Sequence, residues 1–164
     1  MQKNIISTIV YETENINDLT SEDQRLVSEA QQAADNSWSP YSHFAVGAAV
    51  RLSDGTIVRG CNIENAAFPS GICAEHNALS TAAASYPGIV PVAMAITAYS
   101  RGTQVNLPVS PCGKCRQVIA EEETRHNQPM KIIMAGRSKI VVVEKGCDLL
   151  PLLFSKDYLN GNIK

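Results

Sequence analysis

Only four residues, Gly136-Arg137-Ser138-Lys139, separate two β-prone runs at 131–135 and 140–144. A crossover between parallel strands needs about a dozen residues. These two runs must therefore pair antiparallel, as neighbours. Asp54-Gly55 adds a second constraint. It is a strong two-residue hairpin signal between a strand at 44–52 and a returning strand at 56–62. Residues 92–99 are apolar on both faces and read as a buried strand.

Helices are predicted between these strands. Thr20-Ser21-Glu22-Asp23 resembles a capping box, and Leu26, Val27, Ala30, Ala33 and Ala34 follow at helical spacing. That helix should end near Ser37. A second helix is expected over about 72–85. A third is expected to start at Ser110, with Pro111 at its first position, and to run to about Thr124. Its Glu121-Glu122-Glu123 run reads as a solvated face. Residues 149–158 should close the chain as a short helix. Residues 3–11 are β-prone and residues 12–19 polar. The predicted fold is α/β: three layers, α/β/α, around a mixed sheet of about five strands whose last two are antiparallel. The length of 164 residues suits one domain, 1–164, with residues 1–19 as an N-terminal extension.

Composition narrows the function. Net charge is −2, and Lys and Arg are scattered, which argues against a grip on nucleic acid. No apolar run approaches the ~20 residues of a membrane span. The N-terminus lacks the apolar core of a signal peptide. Five cysteines, two of them in a C-x-x-C pair, read as thiols or metal ligands rather than disulfides. The expected compartment is the cytoplasm.

The chemistry concentrates in Cys73-Ala74-Glu75 and Pro111-Cys112-Gly113-Lys114-Cys115. Cys73 and Cys112 open the second and third helices, where thiol pKa values fall. Cys112 and Cys115 share a helical face. Three thiolates can hold Zn²⁺ and leave its fourth position open to water, the mark of a catalytic site. Glu75 is too near Cys73 in sequence to be far from that water. Without the surrounding motifs, the three thiols would read as small buried hydrophobes. Cys61 and Cys147 are expected to be inert buried thiols, and His43 and His126 to have surface roles.

These motifs, with Arg116-Gln117, resemble the signature of the zinc-dependent cytidine/deoxycytidylate deaminase family. The similarity is to its small homotetrameric class acting on free nucleosides. Tyr41-Ser42-His43-Phe44-Ala45-Val46-Gly47-Ala48-Ala49, Gly60-Cys61-Asn62-Ile63-Glu64-Asn65-Ala66 and Leu149-Leu150-Pro151 with Phe154 extend the match over about 39–154. The resemblance implies a hydrolase of pyrimidine salvage that converts cytidine and 2′-deoxycytidine to uridine and 2′-deoxyuridine, releasing ammonia. It implies Cys73, Cys112 and Cys115 on zinc and Glu75 as proton shuttle. It implies Asn62 and Glu64 on the ribose hydroxyls, Phe44 against the pyrimidine, and the Ala74 N–H on the base. Phe154 would reach the base in a neighbouring subunit, so active sites would be shared within a homotetramer. On its own Phe44 would read as core, and Phe154 as local filling.

Two residues depart from the pattern. His76 stands where the family carries Arg, a donor to the zinc thiolates. His76 would be such a donor, or a fourth ligand that closes the site. Phe68 stands where Tyr is common and cannot donate a bond to the 5′ end of the nucleoside. These departures keep two alternatives open: a deaminase of a modified cytosine nucleoside or nucleoside antibiotic, and a zinc-stabilised binding protein closed by His76. A nucleic-acid editing enzyme is disfavoured by the short connection at 136–139, because such enzymes carry a helix there.

Overall fold

Alternation along the strands divides the core into two layers of side chains. In the computed structural model, which describes residues 1–159, Ala48, Val50 and Leu52 share one face with Met94, Ile96, Ile132 and Met134. Ala49, Ala93, Ala95, Ile133 and Ala135 point to the other. The period of two in a pleated strand produces this division.

The elements are β1 (Tyr11–Thr13), α1 (Ser21–Ala34), β2 (Phe44–Leu52), β3 (Ile57–Cys61), α2 (Ala74–Ser85), β4 (Pro91–Ser100), β5 (Thr103–Gln104), α3 (Gly113–His126), β6 (Lys131–Ala135), β7 (Ile140–Val143) and α4 (Lys156–Leu159). The sheet order is β1-β7-β6-β4-β2-β3, with β5 paired to β4. Among the strands of the described residues, only β4 and β6 pair in parallel; β6 and β7 are antiparallel, as their four-residue connection requires. Helix α1 covers one face through Leu26, Val27 and Ala30. Helices α2 and α3 cover the other through Ala74, Ala78, Leu79 and Ile119. The three-layer α/β/α class holds.

The sheet has seven strands rather than about five. The two additions are short. Tyr11–Thr13 is held by pairing with β7, so most of the β-prone 3–11 run is left outside the sheet. Thr103–Gln104 is a two-residue return onto β4. Helix α1 stops at Ala34, before Ser37. Helix α3 starts later than Ser110: the Cys112 carbonyl takes the first helical bond, from Arg116 N at 2.9 Å. The predicted closing helix is instead a 3₁₀ turn at Gly146–Leu149 and the single turn α4. Pro151 and Leu152, the latter at φ 58°, interrupt it. Residues 160–164 of the predicted domain lie outside the described residues.

Glu123 is not on a solvated face. It is 7% exposed, and its carboxylate accepts the N–H groups of Met130, Gly146 and Cys147 at 2.6, 2.7 and 2.8 Å. His126 ends α3, two residues beyond the expected end near Thr124, with Nε2 3.3 Å from Glu122 Oε2. Among the described residues, no helix is long and apolar enough to cross a membrane.

One close approach positions the site. A Cβ on Gly60 of β3 would lie 2.4 Å from Ala78 N and 2.5 Å from Ala74 O. Only glycine lets the first turns of α2 settle this closely on the sheet.

Candidate metal centre and active site

Two helix starts meet beside β3. Cys73 is the N-cap of α2, and Cys112 is the N-cap of α3. Neither side chain bonds the backbone of its own helix, so both sulfurs are free to face each other. Cys115 lies in the first turn of α3 and is fully buried. The Sγ atoms of Cys73 and Cys112 are 3.7 Å apart, and all three sulfurs lie within 4.8 Å of one another. A tetrahedral zinc with thiolates at about 2.3 Å separates its sulfurs by about 3.8 Å. The three thiols fit that ion.

The cluster is electrostatically prepared. The Cys73 thiol is lowered to about 6, chiefly because the Cys115 thiol bonds its thiolate. Cys112 and the charges of Lys114 and His76 lower it further, against the opposing effect of burial. Cys115 moves upward, held protonated by its bond to Cys73 and then by burial.

Glu75 follows Cys73 by two residues and is 5% exposed. Burial raises its carboxyl above the ordinary range, and the Cys73 thiolate adds to the rise. Ala74, between them, opens α2 and is fully buried, and it presents an N–H from the first turn. His76 is half-buried and stands outside the group of converging donors. Its Nδ1 is buried without a hydrogen-bond partner.

An open cleft of about 560 Å³ reaches Cys73 and is lined also by Tyr41, Ser42, Asn62, Glu64 and Phe68. Surface hollows of about 530 and 500 Å³ lie beside Arg51 and Arg137, but neither contains a thiol. Glu64 Oε2 accepts the N–H groups of Tyr41 and Ser42 at 2.9 and 3.2 Å. Hydrogen bonding, led by the Ser42 side chain, lowers its carboxyl.

Asn62 is more occupied than its type alone suggested. Its Oδ1 accepts Ser37 Oγ at 2.6 Å and Val46 N at 2.7 Å, and its Nδ2 donates to Phe44 O at 2.9 Å. Its acceptor capacity is spent, and one N–H remains. Phe44 begins β2, half-buried, outside the lining of the cleft. Phe68 is 76% exposed at the rim and meets Tyr41 edge-on, with centroids 5.9 Å apart. Phe154 is not brought to this cleft. It lies on the C-terminal tail, 57% exposed, stacked on Tyr158 at 5.7 Å.

Cys61 and Cys147 are half-buried, and burial raises both thiols, Cys147 to about 11. The sequence places Arg116 and Gln117 in the signature but gives them no role; their side chains bond the Pro111, Leu149 and Phe154 carbonyls. Their place directly after Cys115 was the available signal.

Residues 20–129 match the model of the cytidine and deoxycytidylate deaminase zinc-binding region. A cytidine deaminase of Sporosarcina psychrophila is 39% identical over 138 residues, covering 84% of this chain and 94% of its own. One of Halalkalibacterium halodurans is 46% identical over 98 residues, 60% of this chain and 70% of the relative. The crystal structure of cytidine deaminase from Burkholderia pseudomallei superposes with a TM-score of 0.69 at 33% identity. It covers 83% of this chain and 100% of that one. With two helix starts bearing the thiols and a buried glutamate beside them, the chain belongs to the cytidine and deoxycytidylate deaminase family.

Proposed function

We propose that this chain hydrolyses free cytidine and 2′-deoxycytidine to uridine and 2′-deoxyuridine, releasing ammonia. The observation that carries the reading is the buried Glu75, raised in pKa, beside three thiols that converge at zinc spacing. The names of its relatives agree with it. Held by Cys73, Cys112 and Cys115, zinc supplies Lewis-acid activation of water.

The protein's own residues do the rest. Glu75 takes a proton from the attacking water and gives one to N3 of the pyrimidine as oxygen bonds to C4. It then carries the proton of the new C4 hydroxyl to the exocyclic amine, the C4–N bond breaks as the C4 carbonyl forms, and ammonia leaves. Burial suits Glu75 to both directions, because a carboxyl raised above its ordinary range takes up a proton more readily and can still give it back. Glu64 accepts a ribose hydroxyl, and the remaining Asn62 N–H donates to the sugar. The Ala74 N–H faces the base, and Phe44 packs against the ring. His76 Nδ1, buried without a partner, is placed in this reading as a donor to the thiolates.

The exposed Phe154 supports a homotetramer in which each tail completes a neighbour's site. The free thiols support a reducing cytoplasmic compartment. We treat residues 1–164 as one domain, since β1 joins the N-terminal extension to the common sheet.

The exposed Phe68 ring favours one second reading, a cytosine nucleoside modified at the 5′ end. The test is the ultraviolet absorbance change and ammonia release when purified protein meets cytidine and a panel of analogues. Bound zinc with no ammonia from any of them would refute deamination.

A further inference from the structure

Arg116 and Gln117 follow Cys115 directly, and both donate to backbone carbonyls. Arg116 Nε donates to Pro111 O and Nη1 to Leu149 O, each at 2.9 Å. Gln117 Nε2 donates to Phe154 O at 2.8 Å. Further along the same helix, Glu123 takes the N–H groups of Gly146 and Cys147. Three side chains of α3 therefore grip one strip of chain, residues 146–154, at its start, middle and end.

Its first half has further anchors: Gly146 N donates to Met130 O at 3.0 Å, Thr8 Oγ1 donates to Asp148 O at 2.7 Å, and Leu149 packs on the core; beyond 149 the strip has little else to fix its path. Pro151 has no N–H to give. Leu152 sits at φ 58°, where a branched side chain is disfavoured, and is 89% exposed. Leu150 N bonds Cys147 O within the strip itself. Among the described residues, the bonds from Arg116 and Gln117 are the ones that tie carbonyls of 149–154 to the body of the fold.

We infer that Arg116 and Gln117 are positioning residues that set how the Phe154 ring projects toward a neighbouring copy's cleft. The inference rests on the proposed role of Phe154 at the substrate base. Neither side chain touches the substrate in this arrangement. Both act through the tail. A loosened tail weakens the ring contact equally before and during the reaction, so binding suffers and chemistry does not.

The experiment compares wild type, Phe154→Ala, Gln117→Met, Gln117→Glu and the Phe154→Ala/Gln117→Met double variant. Gln117→Met removes the donor at similar size, and Gln117→Glu removes it at the same shape. Each single Gln117 change is expected to raise KM for cytidine about two- to tenfold, the scale of one aromatic contact, with kcat little changed. Zinc content should match wild type. Backbone amides of the tail should exchange hydrogen faster, which a purely local packing role for Gln117 would not cause. The double variant should bind no worse than Phe154→Ala alone. Arg116→Ala should raise KM in the same way, and Arg116→Lys should partly restore it.

Two failures are distinguishable. If Phe154→Ala raises KM while both Gln117 variants leave KM and tail exchange unchanged, or if the effects simply add, the positioning role is refuted and the Phe154 reading stands. If Phe154→Ala leaves KM unchanged, the Phe154 reading falls and the inference falls with it.

Discussion

The sulfurs of Cys73 and Cys112 stand 3.7 Å apart although 39 positions separate them in the chain. Two helices must be locked side by side for this to hold, and the thiols tax that arrangement unless an ion joins them. We expect one zinc per chain. Cys73→Ser, Cys112→Ser and Cys115→Ser should each lose most of the metal and the activity together, read by elemental analysis and ammonia release. Full zinc content in any two of these variants would contradict the ligand set.

In the proposed mechanism, Glu75 separates metal binding from catalysis. Glu75→Gln keeps the shape and removes the exchangeable carboxyl proton. The expected loss in kcat is at least ~10²–10⁴-fold, the scale of general acid–base catalysis. Zinc should remain at wild-type content. Retention of more than about a tenth of turnover would mean that another group moves the proton.

In zinc-free protein, the Cys73 thiol is lowered from the ordinary thiol range to about 6, chiefly by its bond from Cys115. The sign follows from linkage. A group with a depressed folded pKa adds stability above its unfolded value, and that stability fades as pH falls through about 6. The same thiolate is the nucleophile toward alkylating reagents. Mass mapping after brief iodoacetamide treatment at pH 7 should find Cys73 labelled before Cys147, whose thiol is raised to about 11. Added zinc should protect Cys73. Labelling of Cys147 first would show that the cluster does not ionise in this order.

Glu123 ties the end of α3 to Met130, Gly146 and Cys147 through three backbone N–H groups. Glu123→Leu leaves the Met130 and Cys147 N–H groups without an acceptor, while Gly146 N keeps Met130 O at 3.0 Å. The cost should be about 2–4 kcal/mol, since unmet buried donors cost ~1–3 kcal/mol each and partial rehydration recovers some of it. Denaturant unfolding with zinc held constant measures it. A loss below about 0.5 kcal/mol, the range of ordinary surface changes, would show that the carboxylate is dispensable.

Phe68 carries no hydroxyl to offer a nucleoside's 5′ end. Replacing the 5′-hydroxyl of cytidine by hydrogen should therefore cost less kcat/KM in wild type than in Phe68→Tyr. The difference should reach up to about tenfold, the worth of one hydrogen bond. Equal ratios for cytidine and 5′-deoxycytidine in both proteins would remove Phe68 from 5′ recognition.

What the sequence made legible was local. Phe44–Leu52 and Lys131–Ala135 emerge with the same bounds in sequence and structure, because alternation, the Asp54-Gly55 turn and a short connection act over a few residues. The thiol motifs were equally compact. What stayed hidden depended on distant partners. Tyr11–Thr13 becomes a strand through an edge of β7, some 130 positions away. Glu123 is buried by groups up to 24 positions off. Asn62 gave no sign that its oxygen was already committed to Ser37 and Val46.

That commitment divides the labour of the proposed sugar pocket. Asn62 stitches Ser37, Phe44 and Val46 together, so a new residue there would disturb the start of β2 before it altered any ligand preference. Glu64 leans on backbone N–H groups at 2.9 and 3.2 Å that any residue at 41 and 42 except proline could supply. Drift toward a different sugar therefore has an open route at position 64 and a closed one at position 62. A library built to broaden the substrate range should vary Glu64 and hold Asn62 fixed.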